Sequence, residues 1–212
     1  SYEKILNHFS PKIFVFENVM GLLTARLGEK KTVDVIIERL GKNYNLINDP
    51  KKMVLNSCNF GVPQIRERVF LIGVNKKINL DPKDIYARIE QTHYNPKSKK
   101  SERKTRKKFI TVRDALSDLP VLKPGQGKTK INHKINRWNP FLKKIRKGDD
   151  VVLLDHVARN HNTSDRERYK EMSKNRWTFK ELLEKKPYLN HKKQRVFNNS
   201  YVVQLWDRPS RT

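Results

Sequence analysis

Glu17, Gln64, Arg66 and Arg68 are the side chains whose types and spacing could do chemistry together. Glu17 ends the apolar run Ile13-Phe14-Val15-Phe16. A carboxyl group at the end of a buried strand is partly desolvated, which favours its neutral, proton-holding form. Gln64, Arg66 and Arg68 lie two apart after the Gly61-Val62-Pro63 turn, and residues two apart on an extended chain share a side. They can converge as a cationic, hydrogen-bonding comb while Ile65 and Glu67 face away. Taken alone, the same residues also suit an ordinary surface, with the arginines paired to Glu67 or other acids. Cys58, the single cysteine, invites assignment as a nucleophile.

The elements that must hold these residues read as α/β. Tyr2, Ile5, Leu6 and Phe9 have helical spacing, and Ser10-Pro11 stops the helix. Ile13–Phe16 is apolar without alternation, which predicts a parallel strand covered on both faces. Glu17 then sits at its C-terminal end, where open α/β sheets place ligands. A helix over Thr32–Lys42, short strands at Tyr44–Ile47 and Met53–Leu55, and a strand at Val69–Val74 complete the later half of a doubly wound sheet.

Charge divides the chain. It carries 47 Lys and Arg against 22 Asp and Glu, a net charge of +25. Residues 1–90 hold 15 basic and 10 acidic side chains, and residues 91–212 hold 32 and 12. We therefore expect a boundary near residue 90. A polyanion is the implied partner, duplex DNA before a membrane, because no long apolar run or signal peptide is present. A single cysteine excludes an internal disulfide and a Cys-rich zinc site, and fits a reducing, cytoplasmic setting. His156 and His161 lack cysteine or clear acidic partners, so no metal is expected.

In the second part, Lys97–Lys108 carries eight basic residues and one Glu, and reads as a solvated loop with Lys99, Lys100, Lys104 and Lys107 as phosphate contacts. Capping boxes are expected at Thr111 with Asp114, Ser164 with Glu167, and Thr178 with Glu181. The segment around Pro120, Pro124, Gly125 and Gly127 reads as irregular, and Tyr201–Trp206 as a strand.

Two motifs carry a resemblance. Glu17-Asn18-Val19, preceded by Pro11-Lys12 and an apolar run, and Gly61-Val62-Pro63-Gln64-Ile65-Arg66-Glu67-Arg68 are similar to the Glu-Asn-Val and Gln-x-Arg-x-Arg motifs of cytosine-5 DNA methyltransferases, in that family's order. The resemblance implies a prokaryotic modification methylase that takes a methyl group from S-adenosylmethionine to C5 of a flipped cytosine. It implies Glu17 at N3 and the exocyclic amine of the base, Arg68 at O2, and Asn18, Gln64 and Arg66 as supports of the pocket. The family's Pro-Cys nucleophile precedes Glu-Asn-Val, whereas Cys58 follows it, so Cys58 is expected only to pack. No Pro-Cys pair occurs, and the Gly-rich cofactor loop and the closing Asn-rich motif have no counterpart here.

Residues 1–90 are thus expected to be part of a catalytic domain, 91–200 a smaller, irregular, basic target-recognition domain, and 201–212 a return strand. Arg159, Asn160, His161, Asn162 and Arg166 are candidates for reading DNA, although a solvated loop and helix start explain them equally well. The fragment alone should be inactive. A second chain or further segments would supply the nucleophile and cofactor site; the alternatives are a subunit of a split enzyme and a non-catalytic DNA-binding module.

Overall fold

In the computed structural model, which describes residues 2–190 and 202–211, the chain opens with helix α1 (Tyr2–Phe9) and strand β1 (Ile13–Val19). A small ribbon, β2 (Arg26–Leu27) and β3 (Lys30–Lys31), leads into α2 (Thr32–Leu40), which buries Val33 and Leu40. Strand β4 (Tyr44–Asn45) follows, then α3 (Pro50–Met53), whose cap is Asp49 accepting from Lys51 N at 3.0 Å. Next come β5 (Val54–Asn56), a 3-10 turn at Ser57–Phe60, β6 (Gln64–Ile65) and the long strand β7 (Glu67–Asn75). Helix α4 (Pro82–Ala87), β8 (His93–Tyr94), α5 (Lys100–Thr105) and β9 (Lys107–Lys108) end the first of two compact units, Ser1–Lys108.

Strand β7 organises that unit. It pairs antiparallel with β1 along one edge and with β5 and β4 along the other. Val69, Leu71, Ile72 and Val74 are buried, as an apolar run covered by neighbours should be. Gly73 lies opposite Phe14, and a Cβ there would come within 2.2 Å of the Phe14 ring. The missing side chain lets Phe14 lie flat on the strand and meet Tyr44 edge-on at 4.9 Å.

Between the stretches of β7 held by β5 and by β4, the ladder has a gap. The Tyr86 hydroxyl fills it, donating to Phe70 O at 2.7 Å and accepting from Ile72 N at 3.0 Å. Tyr86→Phe keeps the ring and leaves both backbone groups without a partner. It is expected to cost about 2–6 kcal/mol, because each orphaned buried polar group costs roughly 1–3. Urea denaturation of the variant checks this; a loss below about 0.5 kcal/mol would show that the hydroxyl is dispensable.

Several sequence expectations change. Strand β1 is not a parallel strand covered on both faces: it runs antiparallel to β7, with Phe14 buried but Ile13, Val15 and Val19 exposed. Its apolar run hid this because both faces carry apolar residues. The Lys97–Lys108 segment is not simply a loop, since it contains α5, started where Glu102 accepts from Lys99 N at 2.9 Å. The compact unit extends through Lys108 instead of ending near residue 90.

The second unit, Phe109–Thr212, begins with α6 (Val112–Leu116), where Thr111 and Asp114 form the expected capping box. Residues 120–126 are irregular, as expected, and an antiparallel ribbon follows, β10 (Gly127–Lys134) with β11 (Asp150–Val157). Helix α7 (Leu142–Ile145) lies in the connection between the two strands. Helices α8 (Thr163–Asn175) and α9 (Phe179–Lys185) bury Met172, Phe179, Leu182 and Leu189 together. Thr178 and Glu181 cap α9 reciprocally, but α8 is capped by Asn162, which accepts from Asp165 N at 2.8 Å. Asn162 precedes Ser164 and starts the helix earlier than a Ser164–Glu167 box would. Residues 202–206 form no strand, Tyr201 lies outside the described residues, and the last short strand is β12 (Ser210–Arg211).

Candidate active site

Register brings the chemistry together. Pairing of β1 with β7 sets Glu17 opposite Phe70 and Val19 opposite Arg68, and pairing of β5 with β7 sets Leu55 opposite Arg68. Directly opposed residues share a face, so Glu17, Arg68, Phe70 and Leu55 converge. They line a cavity of about 300 Å³ with Ser57, Phe60, Arg66 and Ile89. The volume is at the small end of ligand pockets, and its walls are apolar with a few converging polar groups.

Arg68 Nε lies 3.2 Å from Glu17 Oε1. Its Nη1 also donates to Glu67 O at 2.7 Å, so two contacts fix the guanidinium. The Arg68 side chain is 18% exposed, and that of Glu17 is 49% exposed. Glu17 is thus half open to solvent rather than desolvated at a buried strand end, because the face of β1 that carries it is uncovered. Asn18 Oδ1 accepts from Val19 N at 2.8 Å, a bond local to the end of β1. Gln64 is not part of the lining; its carbonyl accepts from Ser57 Oγ at 2.6 Å, and Arg66 O accepts from Ser57 N at 3.0 Å. The comb therefore separates, with Arg66 and Arg68 at the cavity and Gln64 in β6, outside its lining. Cys58 is fully buried, and burial pushes its thiol up to about 11. Burial and a raised pKa both disfavour the thiolate, the reactive form.

Sequence reasoning missed a polar network behind the cavity. Asn59, buried in the 3-10 turn between Ser57 and Phe60, donates to Gln91 Oε1 at 2.7 Å and accepts from Asn95 Nδ2 at 2.9 Å. Arg106 donates to the same Gln91 oxygen at 2.7 Å and to Glu102 at 2.9 Å. Helix α5 is thereby tied to the wall of the cavity, with Lys99, Lys100, Lys104 and Lys107 exposed around it. Asparagine-to-glutamine contacts 32 residues apart have no sequence signal. In the second unit Arg159, Asn160 and Arg166 are exposed, while Asn162 spends its side-chain oxygen on the α8 cap. Among the described residues, no group of His, Cys, Asp and Glu is placed to hold a metal ion, and no helix is long and apolar enough to cross a membrane.

A carboxylate and a fixed guanidinium thus meet at a small, largely apolar cavity. The family model described as C-5 cytosine-specific DNA methylase matches residues 1–208. The type II methyltransferase M.Bpa9945I of Bacillus paralicheniformis is 30% identical over 97% of the chain and 46% of its own length. M.DdeI of Desulfomicrobium norvegicum is 32% identical over 76% of the chain and 35% of its own length. The chain thus spans less than half the length of these relatives. A crystal structure described as a DNA modification methyltransferase encoded within an E. coli prophage shares the fold, with a TM-score of 0.53 at 21% identity, over 79% of the chain and 48% of its own. The chain belongs to the C-5 cytosine-specific DNA methylase family.

Proposed function

We propose that this chain supplies the base-activating pocket and a DNA-binding region of a DNA (cytosine-5) methyltransferase of a restriction-modification system. The observation that carries the reading is the Glu17–Arg68 pair at the cavity mouth. A cytosine turned out of the duplex would enter this cavity. Glu17 would meet N3 and the exocyclic amine, and holding a proton at N3 draws electron density from the ring. Arg68 would meet O2 and stabilise charge that spreads over the ring during attack at C6. Phe60, Phe70, Leu55 and Ile89 would exclude water around the base.

S-adenosylmethionine is the methyl donor this reading implies. The residues at the cavity do not fit it, because Arg66 and Arg68 line the space and a sulfonium is itself a cation. The work of this chain is on the base and on DNA. With Cys58 buried and its thiol raised, the chain by itself transfers no methyl group. A second reading, in which another chain or further segments complete the site, is favoured by exposed apolar surface. Ile13, Val15 and Val19 of β1 and Ile5 and Phe9 of α1 are all open to solvent.

The test is binding of this chain to duplex DNA across a salt series. Affinity should fall steeply with salt, and replacing Lys99, Lys100, Lys104 and Lys107 by Gln should lower the slope by about 2–4 and weaken all DNA sequences alike. Binding that is flat with salt, or methyl transfer by this chain alone, would overturn the reading.

A further inference from the structure

A second basic stretch lies beyond the run at 97–108. Residues 128–147 carry eight basic side chains and no acidic one, whereas the run at 97–108 contains Glu102. Most of the 128–147 charge is exposed: Lys134 ends β10, and Lys143, Lys144 and Lys147 lie in and after α7. Such a concentration repels itself unless a polyanion faces it.

One member of the group is held differently from the others. Arg146 donates from Nε to Asp118 Oδ2 at 2.8 Å, and the Asp118 side chain is 0% exposed while that of Arg146 is 28% exposed. The Asp118 main chain is fixed as well, its carbonyl accepting from His133 Nε2 of β10 at 2.6 Å. A buried carboxylate on Nε orients the guanidinium and leaves Nη1 and Nη2 with no partner among the described residues. Those two donors form a planar fork that matches phosphate oxygens in geometry, and an arginine already fixed loses less freedom when it binds.

We propose that residues 128–147 form a second contact surface for the phosphate backbone of duplex DNA, anchored by Arg146 and positioned through buried Asp118. The lysines supply charge on flexible stems. Arg146 supplies a fixed point that sets where the backbone lies. The proposal rests on the DNA-binding reading above and assigns part of that binding to named residues of the second unit.

Anisotropy of a labelled duplex against this chain tests it, with thermal melts confirming that each variant is folded. Lys143→Gln, Lys144→Gln and Lys147→Gln together should lower the salt slope by about 2–3. Arg146→Lys keeps the charge but should weaken binding about tenfold at fixed salt. Asp118→Asn removes a negative charge, so charge alone would tighten binding; release of Arg146 should instead weaken it several-fold. If Asp118→Asn does not fold, Arg146→Lys decides the point. An unchanged slope in the triple variant, alongside a reduced slope in the 97–108 variant, would overturn this surface and leave the DNA-binding reading intact. Full affinity in Arg146→Lys would overturn the anchor, and no DNA binding by the unaltered chain would overturn both readings.

Discussion

Replacing Glu17 by Gln, in the methyltransferase that contains or recruits this chain, is expected to slow single-turnover methyl transfer by about 10²–10⁴-fold, the range that general acid-base groups supply. Gln keeps the size and can still hydrogen-bond the exocyclic amine or N3, but it cannot hold a transferable proton. DNA binding should stay within a few-fold, since Glu17 is one half-exposed side chain among many contacts. The loss should therefore appear in the chemical step and not in affinity. Cys58→Ser is the matching control. Its thiol is buried and pushed up to about 11, so a folded Ser variant should retain most of the rate.

Arg68→Ala is expected to slow transfer by about 10²–10³-fold, as removal of one fixed donor to a developing negative charge does. Unlike Glu17→Gln, it should also weaken retention of the extruded base, because contact with O2 exists before attack as well as during it. Loss of the guanidinium further leaves Glu17 without its 3.2 Å partner, so the carboxyl loses its fixed position too. Arg68→Lys should recover little, because a single ammonium cannot hold Glu17, the Glu67 carbonyl and a base oxygen in one plane. Equilibrium binding to duplexes with and without a mismatch at the target cytosine separates base retention from the rate. A variant with unchanged retention and full rate would contradict the assigned role.

The parts of the fold that were legible in the sequence are those encoded locally. The Gly-Val-Pro turn, the apolar run of β7 and the capping boxes at Thr111 and Thr178 depend on residues a few positions apart. Two motifs implied that Glu17 and Arg68 meet one base, but their 3.2 Å contact depends on an antiparallel register that neither motif states. Where local signals competed, the wrong one was easy to choose. Asn162 takes the α8 cap ahead of Ser164, and Glu102 starts a helix inside a run that looks too charged to form one. The β10–β11 ribbon was hidden because lysines at 128, 130 and 134 masked the inward set of Ile131, His133 and Ile135. The Asn59–Gln91–Arg106 network, the Tyr86 hydroxyl in the β7 ladder and the burial of Asp118 are tertiary facts, set by chain packing between distant residues.

The central claim is that Glu17 and Arg68 act on one base as a unit. A double-mutant cycle in single-turnover methyl transfer on the cognate duplex tests it most directly, comparing Glu17→Gln, Arg68→Ala and the double variant. The account predicts strong non-additivity, with the double variant within about tenfold of the slower single variant, as groups that act together lose most of their effect when either is removed. Losses that multiply fully, or a Glu17→Gln enzyme that transfers methyl groups at the unaltered rate, would contradict it.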